Sequence, residues 1–134
     1  MKIFCIAGNH DSGAKHMIFS NAWKALNVQM VGNIYNDSPL EDYIFKLDGI
    51  GYFVTVPFAV DRFMPDNVYT RLYDLVQEKN DEKLPVVLLA HTAIGSCDST
   101  GHDIADDNQV GGINCMKLEE IGSGYDYVAL GHIH

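Results

Sequence analysis

Long apolar runs, paired cysteines and positive charge are all scarce in this 134-residue chain. No run approaches the ~18 apolar residues of a membrane span, and the first residues lack a charged-then-apolar leader, so neither a spanning helix nor a secretory signal is expected. Cys5, Cys97 and Cys115 are an odd three with no C-x-x-C spacing. That pattern argues against a disulfide framework or zinc ribbon and for free thiols in a reducing cytoplasm, with Cys5 in an apolar run reading as core. Lys and Arg number 9 against 18 Asp and Glu, a formal charge of −9. Such a balance speaks against a generic basic nucleic-acid surface, although metal ions can hold a phosphodiester where side chains do not. Repeats and low-complexity segments are missing too. What remains is ordinary globular composition, 47% hydrophobic and 20% charged, enough for one domain with a core.

Ile3 to Ala7 is a short apolar run that predicts a strand buried on both faces. Ala14, Met17, Ile18, Ala22, Ala25 and Leu26 recur at helical spacing and predict one helix from Gly13 to Leu26. Val28 to Val31 reads as a short strand. Tyr43, Phe45 and Leu47 alternate with polar and apolar neighbours, Gly49-Ile50-Gly51 turns the chain, and Tyr52 to Val56 follows, the pattern of a hairpin. Pro65-Asp66-Asn67 opens a helix with Val68, Leu72, Leu75 and Val76 on one face. Pro85 to Ala90, the most apolar run, predicts a central strand that delivers His91. Thr92 to Gly112 is polar and aperiodic, the length of a functional loop. Cys115 to Ile121 reads as a short helix and Tyr127 to Leu130 as the last strand. Strands alternating with helices make the class α/β.

Three predicted strands end in histidine-bearing signals: Asn9-His10-Asp11, His91, and His132-x-His134. Ends of strands at one sheet edge converge, so such residues can surround one site. Imidazole with amide or carboxylate oxygen suits Mn, Fe, Zn or Ni, and no cysteine is placed to make a soft-metal site. Each signal has a plain alternative: a half-buried histidine making one hydrogen bond, turn chemistry for Asn and Asp, a solvated terminus for H-x-H. His16 and His102 read as solvated. Three such signals in this order are harder to assign to chance than any one.

Gly8-Asn9-His10-Asp11, the strand ending in His91, and Gly131-His132-Ile133-His134 resemble the third, fourth and fifth motifs of the calcineurin-like metallophosphoesterases, and the resemblance spans the chain. Within that superfamily, Ile6 to Ser12, Val110-Gly111-Gly112 and Tyr125 to His134 are similar to the SbcD-type nuclease subunits of bacterial DNA repair. The resemblance implies an αββα sandwich, of which residues 1–134 would form the second half as a single partial domain. The family's Asp-x-His and Gly-Asp motifs, which come before the third, do not occur here, and its capping domain would follow His134.

By the same resemblance, Asn9, His91 and His132 would hold one Mn²⁺ and His134 a second. His10 would act as general acid with Asp11 orienting its ring. DNA and an SbcC-type ATPase subunit would be the partners, in the cytoplasm and away from membranes. Without the carboxylates of the first two motifs, the isolated chain is expected to bind metal weakly, to have little activity, and to self-associate through bare sheet edges. Two other readings stand beside an SbcD-type nuclease: a phosphoesterase acting on nucleotides or small phosphodiesters, and a non-catalytic half-domain. A mononuclear β-barrel using H-x-H fits poorly with two helices between the strands.

Overall fold

A computed structural model of the chain describes residues 1–94 and 116–132, together with the backbone of residues 109–110 and 113–114. Strand β1 (Ile3–Ile6) pairs in parallel with β2 (Val28–Val31), with Ile3 opposite Val28. A second sheet has the order β3 (Ile44–Leu47), β4 (Gly51–Val56), β5 (Val86–His91), β8 (Tyr127–Gly131). β3 and β4 form the antiparallel hairpin the sequence predicts, turned at Gly49 with φ 69°, while β4, β5 and β8 run parallel. A short antiparallel pair has its first strand, β6 (Gln109–Val110), inside the Thr92 to Gly112 stretch expected to be a loop and its second, β7 (Ile113–Asn114), just past it; most of that stretch lies outside the described residues.

Alternation along the second sheet separates two environments. Tyr52, Val54, Val56, Val86, Leu88 and Ala90 are buried in one cluster with Val68, Leu72 and Val76 of helix α3 (Val68–Gln77). Tyr69 joins that buried face, and Leu75, expected there, is only half-buried. The intervening side chains face the first sheet: the Phe4 ring of β1 stacks on Phe53 of β4, centroids 4.7 Å apart, and tilts against Phe45 of β3 at 5.6 Å. Helix α4 (Leu118–Ile121) packs beside α3; it is shorter than expected because Lys117 is extended and Glu120 accepts its amide at 2.9 Å, a capping box that starts the helix. Cys115 lies outside the described residues.

The outer layer over β1–β2 departs most from expectation. The single predicted helix is two, α1 (Gly13–Ile18) and α2 (Ser20–Ala25), broken at Phe19. Gly13 lies so close to Gly32 after β2 that a Cβ on Gly13 would come within 2.0 Å of the Gly32 carbonyl oxygen. That backbone contact sets where α1 begins, and Asn27 in the left-handed region (φ 60°) ends α2 and releases the chain into β2. Both helices pack chiefly on β2 and leave β1 thinly covered. Hence β1 is not buried on both faces: Ile3 is exposed and Phe4, Cys5 and Ile6 are half-buried, so Cys5 is not core. The layers are α1–α2, β1–β2, β3-β4-β5-β8, α3–α4, an αββα sandwich. Among the described residues, no helix is long and apolar enough to cross a membrane.

Candidate metal centre

The C-terminal ends of the two sheets are tied together just after β1. Ala7 donates to the Val31 carbonyl at 3.0 Å, continuing the first sheet, and its own carbonyl accepts the Phe58 amide at 2.9 Å just past β4. Gly8 to Asp11 then turns back on itself. The Asp11 amide donates to the Gly8 carbonyl at 3.2 Å, and the Asp11 carboxylate accepts the Gly8 amide at 2.8 Å.

β5 brings His91 to this turn. Its position in the alternation puts the imidazole on the face toward the first sheet, half-buried, with the Phe58 ring edge-on at 6.1 Å. Its Nε2 lies 3.0 Å from Asn9 Oδ1, 3.4 Å from the Asn9 amide nitrogen and 3.0 Å from His132 Nδ1. The two imidazoles stand almost perpendicular, at 81° with centroids 4.9 Å apart. His132 is buried and has φ 141°, a conformation costly for a residue with a Cβ. The bend comes as β8 ends and turns the ring inward instead of letting it follow the strand.

Glycine makes the packing around His91 possible. A Cβ on Gly8 would sit 2.7 Å from His91 Cε1, and one on Gly131 would sit 3.2 Å from Nδ1. The ring is gripped between two backbones.

His91 Nε2 faces Asn9 Oδ1, which only accepts, and His132 Nδ1, whose role follows its tautomer. The lone pairs of these three atoms can point at one shared cation, whereas the Asn9 backbone amide only donates and is no part of that set. Donors on a six-coordinate ion with bonds of about 2.1 Å lie about 3.0 Å apart at right angles, the spacing seen from Nε2 to Oδ1 and Nδ1. The donor set therefore fits a divalent first-row ion. It is short of charge: among the described residues no three His, Cys, Asp or Glu side chains converge, and the third donor is the neutral side-chain oxygen Oδ1 of Asn9.

Asn9, His91 and His132 are thus brought together. His10 is exposed on the turn. Asp11 does not do what was anticipated: its carboxylate is folded back onto the Gly8 amide and faces His16, with Nε2 to Oδ1 at 3.7 Å. The Gly8 hydrogen bond, and secondarily His16, hold the Asp11 pKa below the usual carboxylate value. His16, read as solvated, is half-buried between Asp11 and the Trp23 ring at 6.5 Å. Sequence offered only a weak signal for it, an imidazole one turn into the helix that follows the loop. His102 and His134 lie outside the described residues.

The sequence profile of the calcineurin-like phosphoesterases matches residues 1–134. No curated protein matches the chain.

Proposed function

The chain belongs to the calcineurin-like phosphoesterase family, whose members are metal-dependent phosphoester hydrolases, and from that premise we propose that its strand-end cluster serves phosphodiester hydrolysis in DNA, as in SbcD-type nucleases. The observation that carries the reading is the convergence of Asn9 Oδ1 and His132 Nδ1 on His91 Nε2 at 3.0 Å each. The similarity of Ile6 to Ser12 and Tyr125 to His134 to the SbcD type supports the choice of DNA.

Asn9, His91 and His132 would hold one Mn²⁺ and His134 a second. When bound, the ions would supply polarisation of the phosphoryl oxygens and acidification of a water near neutral pH. The residues of the chain do the remaining work. Exposed His10 donates a proton to the leaving oxygen as the new P–O bond to the water oxygen forms and the scissile P–O bond breaks, and the proton lost by that water passes to solvent. Asp11 holds the turn that carries Asn9 and His10, acting through the Gly8 amide. Because all three described donors are neutral, the isolated chain binds metal weakly and turns over slowly. The formal charge of −9 supports a second reading, a small phosphodiester or nucleotide in place of long DNA.

Partners follow the same reading: an SbcC-type ATPase and, for this polypeptide, other copies of itself. Ile18, Phe19 and Leu26 are 75%, 60% and 67% exposed on α1–α2 and its flank, and an apolar surface of this kind favours association. Unpaired cysteine spacing supports a cytoplasmic setting.

Calorimetric titration of Mn²⁺ into the wild type and into Asn9→Ala, His91→Ala and His132→Ala tests the centre. Weak binding that each substitution abolishes is the expected result; binding that survives His91→Ala would overturn it. Cleavage of a single-stranded oligonucleotide against a chromogenic diester then separates the two substrates, with faster turnover of the oligonucleotide expected.

A further inference from the structure

His91 is shared. It also lines a separate cavity of about 120 Å³, walled by Asp61, Met64, Tyr69, Thr92, Met116 and Glu120. We infer that this cavity is a base-binding subsite, taking the ring of a nucleotide next to the scissile phosphate and favouring bases that bear an amino group. The inference rests on the reading that the substrate is a nucleic acid.

The lining determines the chemistry of the occupant. Two carboxylates, Asp61 and Glu120, repel a second phosphate and can only accept, so they favour a ligand that brings N–H groups. Glu120 is held in place: its Oε1 accepts the Lys117 amide at 2.9 Å, which fixes the carboxylate at the start of α4 and leaves it further lone pairs. Met64 and Met116 supply soft, polarisable walls of the sort that accept a flat ring. Met116 is itself positioned by Thr92, whose hydroxyl donates to its sulfur at 3.4 Å. Buried Tyr69 adds an aromatic surface. The volume corresponds to about four waters, enough for one heteroaromatic ring with the sugar left outside. An alkylammonium headgroup would also meet the carboxylates, but it calls for an aromatic cage, and beside Tyr69 the lining has only the His91 imidazole. Cytosine presents an amino group to such acceptors, whereas thymine presents two carbonyls flanking a single N–H. The cavity therefore discriminates between them.

The test uses the full chain, metal-free in EDTA, with ¹³C-labelled methionine methyls assigned through Met64→Leu and Met116→Leu. Cytidine, thymidine and phosphoethanolamine are titrated separately. Cytidine is expected to shift the Met64 and Met116 methyls, with thymidine at least about fivefold weaker, the effect of about one hydrogen bond. Asp61→Asn and Glu120→Gln should each narrow the preference by a similar factor, and the wild-type comparison needs no variant to fold. Silent Met64 and Met116 methyls, equal affinity for cytidine and thymidine, or a response to phosphoethanolamine alone would overturn the inference. Because no turnover is read, the outcome is independent of the cleavage assay: a chain that cuts DNA without discriminating nucleosides retains the nuclease reading and loses this one.

Discussion

The two halves of the sandwich pack face to face and share the metal centre at one edge, but they are packed very differently. On the side of β3-β4-β5-β8 and α3, the side chains of Val54, Val56, Leu72, Val76 and Leu88 are 0% exposed. On the side of β1–β2 and α1–α2, Ile18 is 75% exposed, Phe19 60% and Leu26 67%. The metal donors are divided between them. His91 and His132 stand on strands of the deep half, one gripped by glycine backbones and the other held in a strained bend. Asn9 rides on a turn of the shallow half, joined to the deep half by the Phe58–Ala7 hydrogen bond and the stacking of Phe4 on Phe53. A centre assembled this way has two donors fixed by packing and a third whose placement depends on how well the halves stay together.

The largest effect expected from that contrast is on stability. Leu72→Ala empties a fully buried site in the deep half and should cost about 2–5 kcal/mol. Ile18→Ala, on an exposed face, should stay within about 0.5 kcal/mol. Urea denaturation of both variants measures the difference. Equal losses would mean that α1–α2 is buried in solution, as self-association through that face would produce, and the Ile18→Ala loss would then depend on protein concentration.

The same contrast explains which parts were legible in the sequence. Pro85 to Ala90 can be read as a central strand that delivers His91, because a strand covered on both faces needs apolar side chains at every position, and this run has them. The β3–β4 hairpin was legible from its alternation and its glycine turn. The α1–α2 break was not: Met17, Ile18, Ala22 and Leu26 keep helical spacing, while the contact that organises the layer is Gly13 on Gly32, between residues without side chains. β1 was misread for a related reason. Apolar content cannot distinguish a strand enclosed by neighbours from one bearing a thin helical layer. At the site, histidines at strand ends were visible as a pattern, and the fold brings Asn9, His91 and His132 together. Asp11 reaching back to Gly8 and across to His16 was invisible, since the turn's geometry decides it. The cavity beside His91 was invisible too, because its walls come from segments far apart along the chain.

Glycine substitutions probe the seam between the halves. A Cβ on Gly8 would meet His91 Cε1 at 2.7 Å, closer than side-chain carbons approach, so Gly8→Ala must move the ring or the turn. A Cβ on Gly131 would meet Nδ1 at 3.2 Å, which a shift of a few tenths of an ångström relieves. Gly8→Ala should therefore weaken Mn²⁺ binding about tenfold or more while costing about 1–2 kcal/mol of stability, and Gly131→Ala should do less of both. Titration calorimetry with parallel thermal melts separates the two effects. If Gly131→Ala is the more damaging, the weaker seam runs along β8.

The smallest effects lie at the extremes of pH, where the halves should fail in opposite directions. Burial raises the Tyr69 pKa in the deep half from the usual 10.0 to about 12. A folded pKa above the unfolded one gives a contribution that is complete below about pH 10 and is lost as pH climbs toward 12. Tyr69→Phe should flatten the fall in melting temperature across that window. Asp11, in the shallow half, has its pKa lowered from 3.8, first by the Gly8 amide and then by His16. Its contribution is present above about pH 4 and disappears as pH falls through the lowered folded value. With its side chain 49% exposed, water screens much of that gain. Asp11→Asn should therefore change the acid limb only slightly, in the direction of a shallower slope below pH 4, and leave the alkaline limb untouched. An alkaline limb that moved with Asp11→Asn would show the two halves unfolding as one strongly coupled unit, with the turn at Gly8 transmitting its loss into the core around Tyr69.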